Sequence, residues 1–205
     1  MATELPDTID TVAQLEDIMT RPSARFVESM RALDGGIVVL GAGGKMGPTL
    51  AVLAARAVAA SGVPRRITAV STFSQSGLRE RLEAHGIATH RADLLAPGAI
   101  DGLPDAENVV YMVGRKFGST GAEWDTWGTN VFAAGLAARR YAGARVVAFS
   151  SGNVYPFVPA DSGGATETTP PGPVGEYGMS GLGRERMWDY AAHHYGTRVL
   201  QWCAA

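Results

Sequence analysis

Apolar positions change their spacing along this chain in a regular way, and the changes predict strands alternating with helices. Short apolar runs fall at residues 37–40, 66–71, 88–92, 108–114, 145–151 and 197–202. Each is too short for a helix and apolar on both faces, which suits a strand buried between layers. Helical spacing fills the intervals: residues 48–60, stopped by Gly62; 78–84, ended by Gly86; then 123–141 and 177–194. Pro48 stands where a helix tolerates proline, in its first turn.

Residues 7–33 predict two short helices ahead of the first strand. Thr11 and Gln14 fit a weak capping box, Leu15, Ile18 and Met19 share a face, and Phe26, Val27, Met30 and Leu33 repeat the pattern. The expectation is a helical N-terminal extension over residues 1–34, packed on a single domain over 35–205. Strands alternating with helices predict an α/β fold: a doubly wound parallel sheet, strand order 3-2-1-4-5-6, right-handed crossovers and helices on both faces.

Gly41-Ala42-Gly43-Gly44-Lys45-Met46-Gly47 interrupts this pattern between the first strand and its helix. Strand, glycine turn and helix in that order bring backbone N–H groups and the positive end of a helix to one point, where a phosphate binds well. A helix-start turn without ligand is the plainer reading of the same residues. Residues 152–176 are rich in proline, glycine and threonine, and a loop of that length at the ligand edge of such a sheet is usually functional.

Composition narrows the partners. A chain of 205 residues suits one domain, and a formal net charge of −2 with dispersed basic residues argues against a nucleic-acid surface. The single cysteine, Cys203, excludes an intrachain disulfide and points to a reducing, cytoplasmic setting. His85, His90, His193 and His194 form two distant pairs without carboxylates at ligand spacing, so no metal site is expected. No membrane partner is expected either: residues 51–60 are apolar but short and interrupted by Arg56, and residues 1–6 lack a signal-peptide pattern.

At Phe149-Ser150-Ser151-Gly152-Asn153-Val154-Tyr155, followed by Glu167, Pro170, Pro173 and Tyr177-Gly178-Met179-Ser180, the sequence resembles the extended short-chain dehydrogenase/reductases. More narrowly it is similar to the NAD-dependent epimerase/dehydratase family. The resemblance runs from Ile37 to the end and includes the glycine loop, Asp93-Leu94 after the third strand and Asn130-Val131 in the long helix. It implies NAD or NADP as cofactor, a sugar-like or nucleotide-sugar substrate and a homodimer formed through helices 123–141 and 177–194. Gly41, Gly44 and Gly47 would cradle the pyrophosphate with Gly43, Lys45 and Met46 beside them; Asp93 and Leu94 would meet the adenine. Val113, Gly114, Arg115, Asn130 and Ser150 would complete the cofactor side. Ser151 would bond the substrate oxygen and Tyr177 would transfer the proton. Plainer alternatives stand beside these roles: Asp93 as the cap of a following helix, Ser150 and Ser151 as strand-end partners, Tyr177 as a helix-start aromatic.

Two departures matter. A phenol with an ordinary pKa of ~10 is a poor base at neutral pH, and a nearby cation favours its phenolate. The family places a lysine four residues after the tyrosine, where this chain has Gly181. Lys116, in the loop after the fourth strand, and Arg184, seven residues after Tyr177, are the candidate replacements, with Lys116 preferred; a solvated surface charge is the plainer reading of both. The second strand ends in Ser71-Thr72 without the carboxylate typical of NAD sites, and Arg79 or Arg81 nearby would suit a 2′-phosphate, which tips the expectation toward NADP. Family members also continue into a carboxy-terminal substrate region, so an oxidoreductase or epimerase competes with a cofactor-binding module or redox sensor without turnover.

Overall fold

The computed structural model describes residues 5–118 and 120–204; the first four residues of the predicted extension, Ser119 and Ala205 lie outside the described residues. Six parallel strands form one sheet: β1 Ile37–Leu40, β2 Ile67–Ser71, β3 Ala88–Arg91, β4 Asn108–Tyr111, β5 Arg145–Ser151 and β6 Arg198–Ala204. Their order is β3-β2-β1-β4-β5-β6, as the alternation predicts. β1 pairs with β2 on one side and β4 on the other, with Leu40 level with Val70 and Tyr111. The chain leaves this reversal point through the glycine loop, so a crevice opens at the carboxyl ends of the strands.

Among the described residues seven α-helices accompany the sheet: α1 Val12–Met19, α2 Ala24–Ala32, α3 Gly47–Ser61, α4 Leu78–Glu83, α5 Glu123–Trp127, α6 Ala133–Arg140 and α7 Gly175–His194. Alternate β1 residues explain both layers. Ile37 and Val39 pack with Ala51, Ala54, Leu78 and Leu82 of α3 and α4. Val38 and Leu40 pack with Ala133, Ala134, Ala137 and Trp188 of α6 and α7. Alanine on the helix faces lets backbone approach sheet closely, and Trp188 then meets Tyr111 edge-on at 5.2 Å between centroids.

The structure corrects several expectations. Helices do not cover both faces throughout: beside α2 and α3, Val110, Val147, Phe149 and Leu200 line an open apolar groove of about 900 Å³. β4 stops at Tyr111 short of residue 114, because β1 turns away at Gly41 after Met112 N–H has bonded Leu40 O (2.9 Å). Helix 123–141 is interrupted by a π-helical turn, Gly128–Phe132. The loop after β5 begins with a 3₁₀ turn, Gly152–Val154, and α7 starts two residues before Tyr177.

The extension lies on α3. Thr11 accepts from Gln14 N–H (3.1 Å) as predicted, but the Gln14 amide turns to Asp10 N–H (2.8 Å) instead of closing the capping box. Asp17 binds Arg21 (2.6 Å) and Arg56 of α3 (2.9 Å), and these bonds, Arg21 first, hold its carboxyl below the usual range.

Candidate functional site

Glycine serves two purposes in the loop after β1. Gly41 has φ +84°, and a Cβ there would stand 2.8 Å from Val113 N; one on Gly47 would stand 2.6 Å from Ala42 O. Both are required by close packing of the chain on itself. A Cβ on Gly43 would meet Ser71 Oγ at 2.2 Å, whereas one on Gly44 would meet only Gly41 O at 3.3 Å. Gly44 therefore presents bare backbone outward. Met46 precedes α3 without a side-chain cap, which leaves first-turn N–H groups free to hold an anion. Lys45 and Met46 lie exposed beside them.

Two cavities meet over this loop and share Gly41, Gly44, Met112 and Gly114. The smaller, about 280 Å³, is lined by Gly43, Ser71, Thr72, Asp93, Leu94 and Val113. Asp93 Oδ1 accepts from Leu95 N–H (3.0 Å) at the cavity wall, so it caps a turn and not a helix, since turns alone follow β3 here. Arg79 is bound to Glu83 and Thr89 (both 2.9 Å) and Arg81 to Glu16 (3.3 Å). Neither arginine lines the cavity, which removes them as ready partners of a 2′-phosphate.

The larger cavity, about 840 Å³, gathers Lys45, Met46, Gly47, Lys116, Ser150, Ser151, Tyr177 and Arg184. Ser151 closes β5; its hydroxyl donates to Asn153 Oδ1 (3.0 Å) and accepts from Asn153 N–H (3.2 Å). Ser150 donates instead to Glu185 of α7. Tyr177 is half-buried in the first turn of α7, and among the described residues no group hydrogen-bonds its hydroxyl. Lys116 Nζ lies over its ring, 5.9 Å from the centroid. Tyr155 shares the wall, and burial, followed by the charges of Cys203 and Glu185, raises its phenol above the ordinary value.

Arg184 is no surface charge. It is 5% exposed, Nη1 donates to Val113 O (3.1 Å), and its buried Nε has no partner. Among the described residues no carboxylate pairs with it. Nor does it fill the position left by Gly181: a Cβ there meets Val154 Cγ1 at 3.4 Å, whereas Arg184 Nη1 stands 2.8 Å from a Cβ on Gly114. The wall of the larger cavity carries three cations and no carboxylate, an arrangement that fits an anionic ligand.

Arg115 and Asn130 line neither cavity. Asn130 is fully buried in the π turn; its Oδ1 accepts from Arg115 N–H (2.7 Å) and its Nδ2 donates to Arg115 O (3.1 Å) and Ser180 Oγ (2.8 Å). Asn130 thus holds the Arg115 main chain of the β4 loop from behind the cavities. The sequence reading gives Ser180 and Asn153 no role beyond their place in the resembled motifs and passes over Glu185. Only Ser180 had a local signal, its place three residues after Tyr177 on one helix face.

The model of the NAD dependent epimerase/dehydratase family matches residues 37–202, and the chain belongs to that family. No match is found among curated proteins. Among solved structures it is similar to a UDP-glucuronic acid 4-epimerase from Bacillus cereus, in complex with NAD and UDP-4-deoxy-4-fluoro-glucuronic acid: TM-score 0.69, 18% identity, 81% of this chain and 55% of that one. UDP-glucose 4-epimerase from Thermotoga maritima, with UDP-glucose, gives TM-score 0.67 at 18% identity over 81% and 54%. A short-chain dehydrogenase/reductase superfamily protein from Agrobacterium tumefaciens with bound NAD gives 0.65 at 21% over 80% and 47%. The chain thus spans about half the length of these proteins, and the likeness is one of fold. No helix among the described residues is long and apolar enough to cross a membrane.

Proposed function

We propose that this chain binds a nicotinamide dinucleotide across the two cavities and acts as an oxidoreductase or epimerase on a nucleotide sugar. One observation carries the reading: Ser151, Tyr177 and Lys116 share a wall with the open backbone of Gly44 and the uncapped start of α3. The residues fit the cofactor. The pyrophosphate would lie on Gly44 and the first turn of α3 beside Lys45, and the adenosine half in the recess of Thr72, Asp93 and Leu94. NAD, when bound, supplies a hydride acceptor.

The rest is the work of this chain. Tyr177, with no protein partner on its hydroxyl, takes the proton of the substrate carbinol, and Lys116 supplies positive charge over its ring. Ser151 exchanges its bond to Asn153 for one to the substrate oxygen and fixes the angle of attack. Arg184, always charged, holds positive potential beneath the β4 loop. For the cofactor we infer NADP over NAD on the hydroxyls of Ser71 and Thr72; for the assembly, a homodimer through α5, the π turn, α6 and α7, where Trp124, Phe132 and Tyr190 are exposed.

Calorimetric titration with NAD and NADP tests the reading, followed by cofactor reduction against a panel of nucleotide sugars. A folded sample that binds neither dinucleotide removes it. A second reading, a cofactor-binding module without turnover, draws on Gly181 and on the Ser151 hydroxyl already being engaged by Asn153. Binding without turnover of any sugar favours that module.

A further inference from the structure

Asn130 and Ser180 are fully buried, and their bonds join the two pieces of chain that carry Lys116 and Tyr177. The Asn130 amide grips the Arg115 main chain from both sides and donates its remaining hydrogen to Ser180 Oγ at 2.8 Å. The Ser180 hydroxyl in turn donates to the carbonyl of Tyr177 at 3.0 Å. Arg115 directly precedes Lys116, and its side chain closes the loop through Gly118 O (3.0 Å) and Asp125 (3.2 Å). The widened π turn is what lets one side chain reach both neighbours.

A lysine borne on α7 would keep its distance from Tyr177 through the helix itself. Lys116 has no such tie, because it is an exposed side chain on a separate loop. Its position relative to the Tyr177 ring depends on whatever fixes that loop against α7. Buried hydrogen bonds with both partners satisfied are stiff connections of this kind.

We propose that Ser180 is a positioning residue: through Asn130 it keeps the loop carrying Lys116 in register with Tyr177, the geometric role that a lysine at position 181 would otherwise fill. The proposal rests on reading Tyr177 as the proton-transferring group. Other charged or titratable groups on this wall are Lys45 of the glycine loop, Tyr155 after β5 and Arg184 of α7, while Glu176 in the first turn of α7 accepts from Trp127 Nε1. None of them is held by the Asn130–Ser180 bond.

The test is Ser180→Ala, read by the phenolate absorbance that Tyr177→Phe removes, in the protein without ligands. The midpoint of that absorbance should lie at higher pH than in the unsubstituted protein, because the phenol loses the cation that the buried bonds hold over its ring. A merely structural serine would lower the thermal midpoint and leave the phenolate midpoint in place. Adding Gly181→Lys to Ser180→Ala should restore the phenolate midpoint without restoring thermal stability, since a Cβ at 181 meets only Val154 Cγ1 at 3.4 Å. An unmoved phenolate midpoint in Ser180→Ala overturns the proposal, as does equal restoration by Gly181→Met. This readout needs neither cofactor nor turnover. Failure of the nucleotide-sugar reading would show instead as absent turnover with the phenolate pattern intact.

Discussion

Lys116 Nζ lies 5.9 Å from the centroid of the Tyr177 ring, so a cation stands over the phenol from the loop after β4. Lys116→Met should therefore depress turnover strongly, raise the pH at which the rate reaches its plateau and leave cofactor affinity little changed. Gly181→Lys in that background should recover part of the rate. A pH–rate profile of the two variants checks this; full activity in Lys116→Met with an unmoved profile transfers the role to Arg184 only where Arg184→Met is inactive, and ends the idea of a substitute cation where neither change matters.

Arg184 predicts an opposite balance between stability and ligand binding. Its guanidinium is 5% exposed, makes one bond to Val113 O and leaves Nε without a partner. A buried charge that lacks a counter-ion costs stability, whereas an apolar side chain of similar length does not. Arg184→Met should raise the thermal midpoint of the ligand-free protein and shrink the further rise that NAD produces. Differential scanning fluorimetry with and without NAD reads both shifts. A lower midpoint without ligand would mean that the Val113 bond outweighs the buried charge.

Cofactor choice should respond to the end of β2. Thr72 is exposed at the wall of the smaller cavity, while Ser71 is pressed against Gly43. Thr72→Asp is the change that fits without displacing the glycine loop. The new carboxylate should repel a 2′-phosphate and favour the ribose hydroxyls, lowering the NADP-to-NAD affinity ratio by about tenfold, or about 1.4 kcal/mol. Paired calorimetric titrations decide it.

The sheet was legible because its signal is local. Val38 and Val39 point to opposite layers and both are buried, so a short apolar run marked a central strand. Gly41 and Gly47 were equally legible, since close packing leaves room for no other residue. What escaped depends on distance in space. Arg184 reads equally as a substitute cation and as a surface charge at helical spacing, and only the fold places Val113 and Gly114 over it. The π turn at Asn130 is set by tertiary bonds to Arg115 and Ser180, which no periodicity encodes. The open groove beside α3 escaped for a related reason: alternating elements imply layers but not how far each layer extends.

Tyr141 gives a prediction with a definite sign. It is 2% exposed at the end of α6, its hydroxyl donates to Pro104 O (2.9 Å), and burial pushes its phenol from 10.0 up to about 12, against the smaller opposing charge of Arg140. The folded state therefore holds this proton more tightly than the unfolded chain. Its contribution is present in full below the ordinary tyrosine value, declines as pH rises between 10.0 and about 12, and is lost above that. The loss is on the order of 2 kcal/mol. Tyr141→Phe cannot ionise and escapes it, but forfeits the bond to Pro104, which costs about 1 kcal/mol at neutral pH. Urea midpoints should thus place the variant below the unsubstituted protein near neutrality and above it in strong alkali. Tyr111, also raised by burial, ionises in both proteins and leaves a shared alkaline decline. Parallel pH profiles without a crossover would show that the Tyr141 hydroxyl reaches water in the folded state.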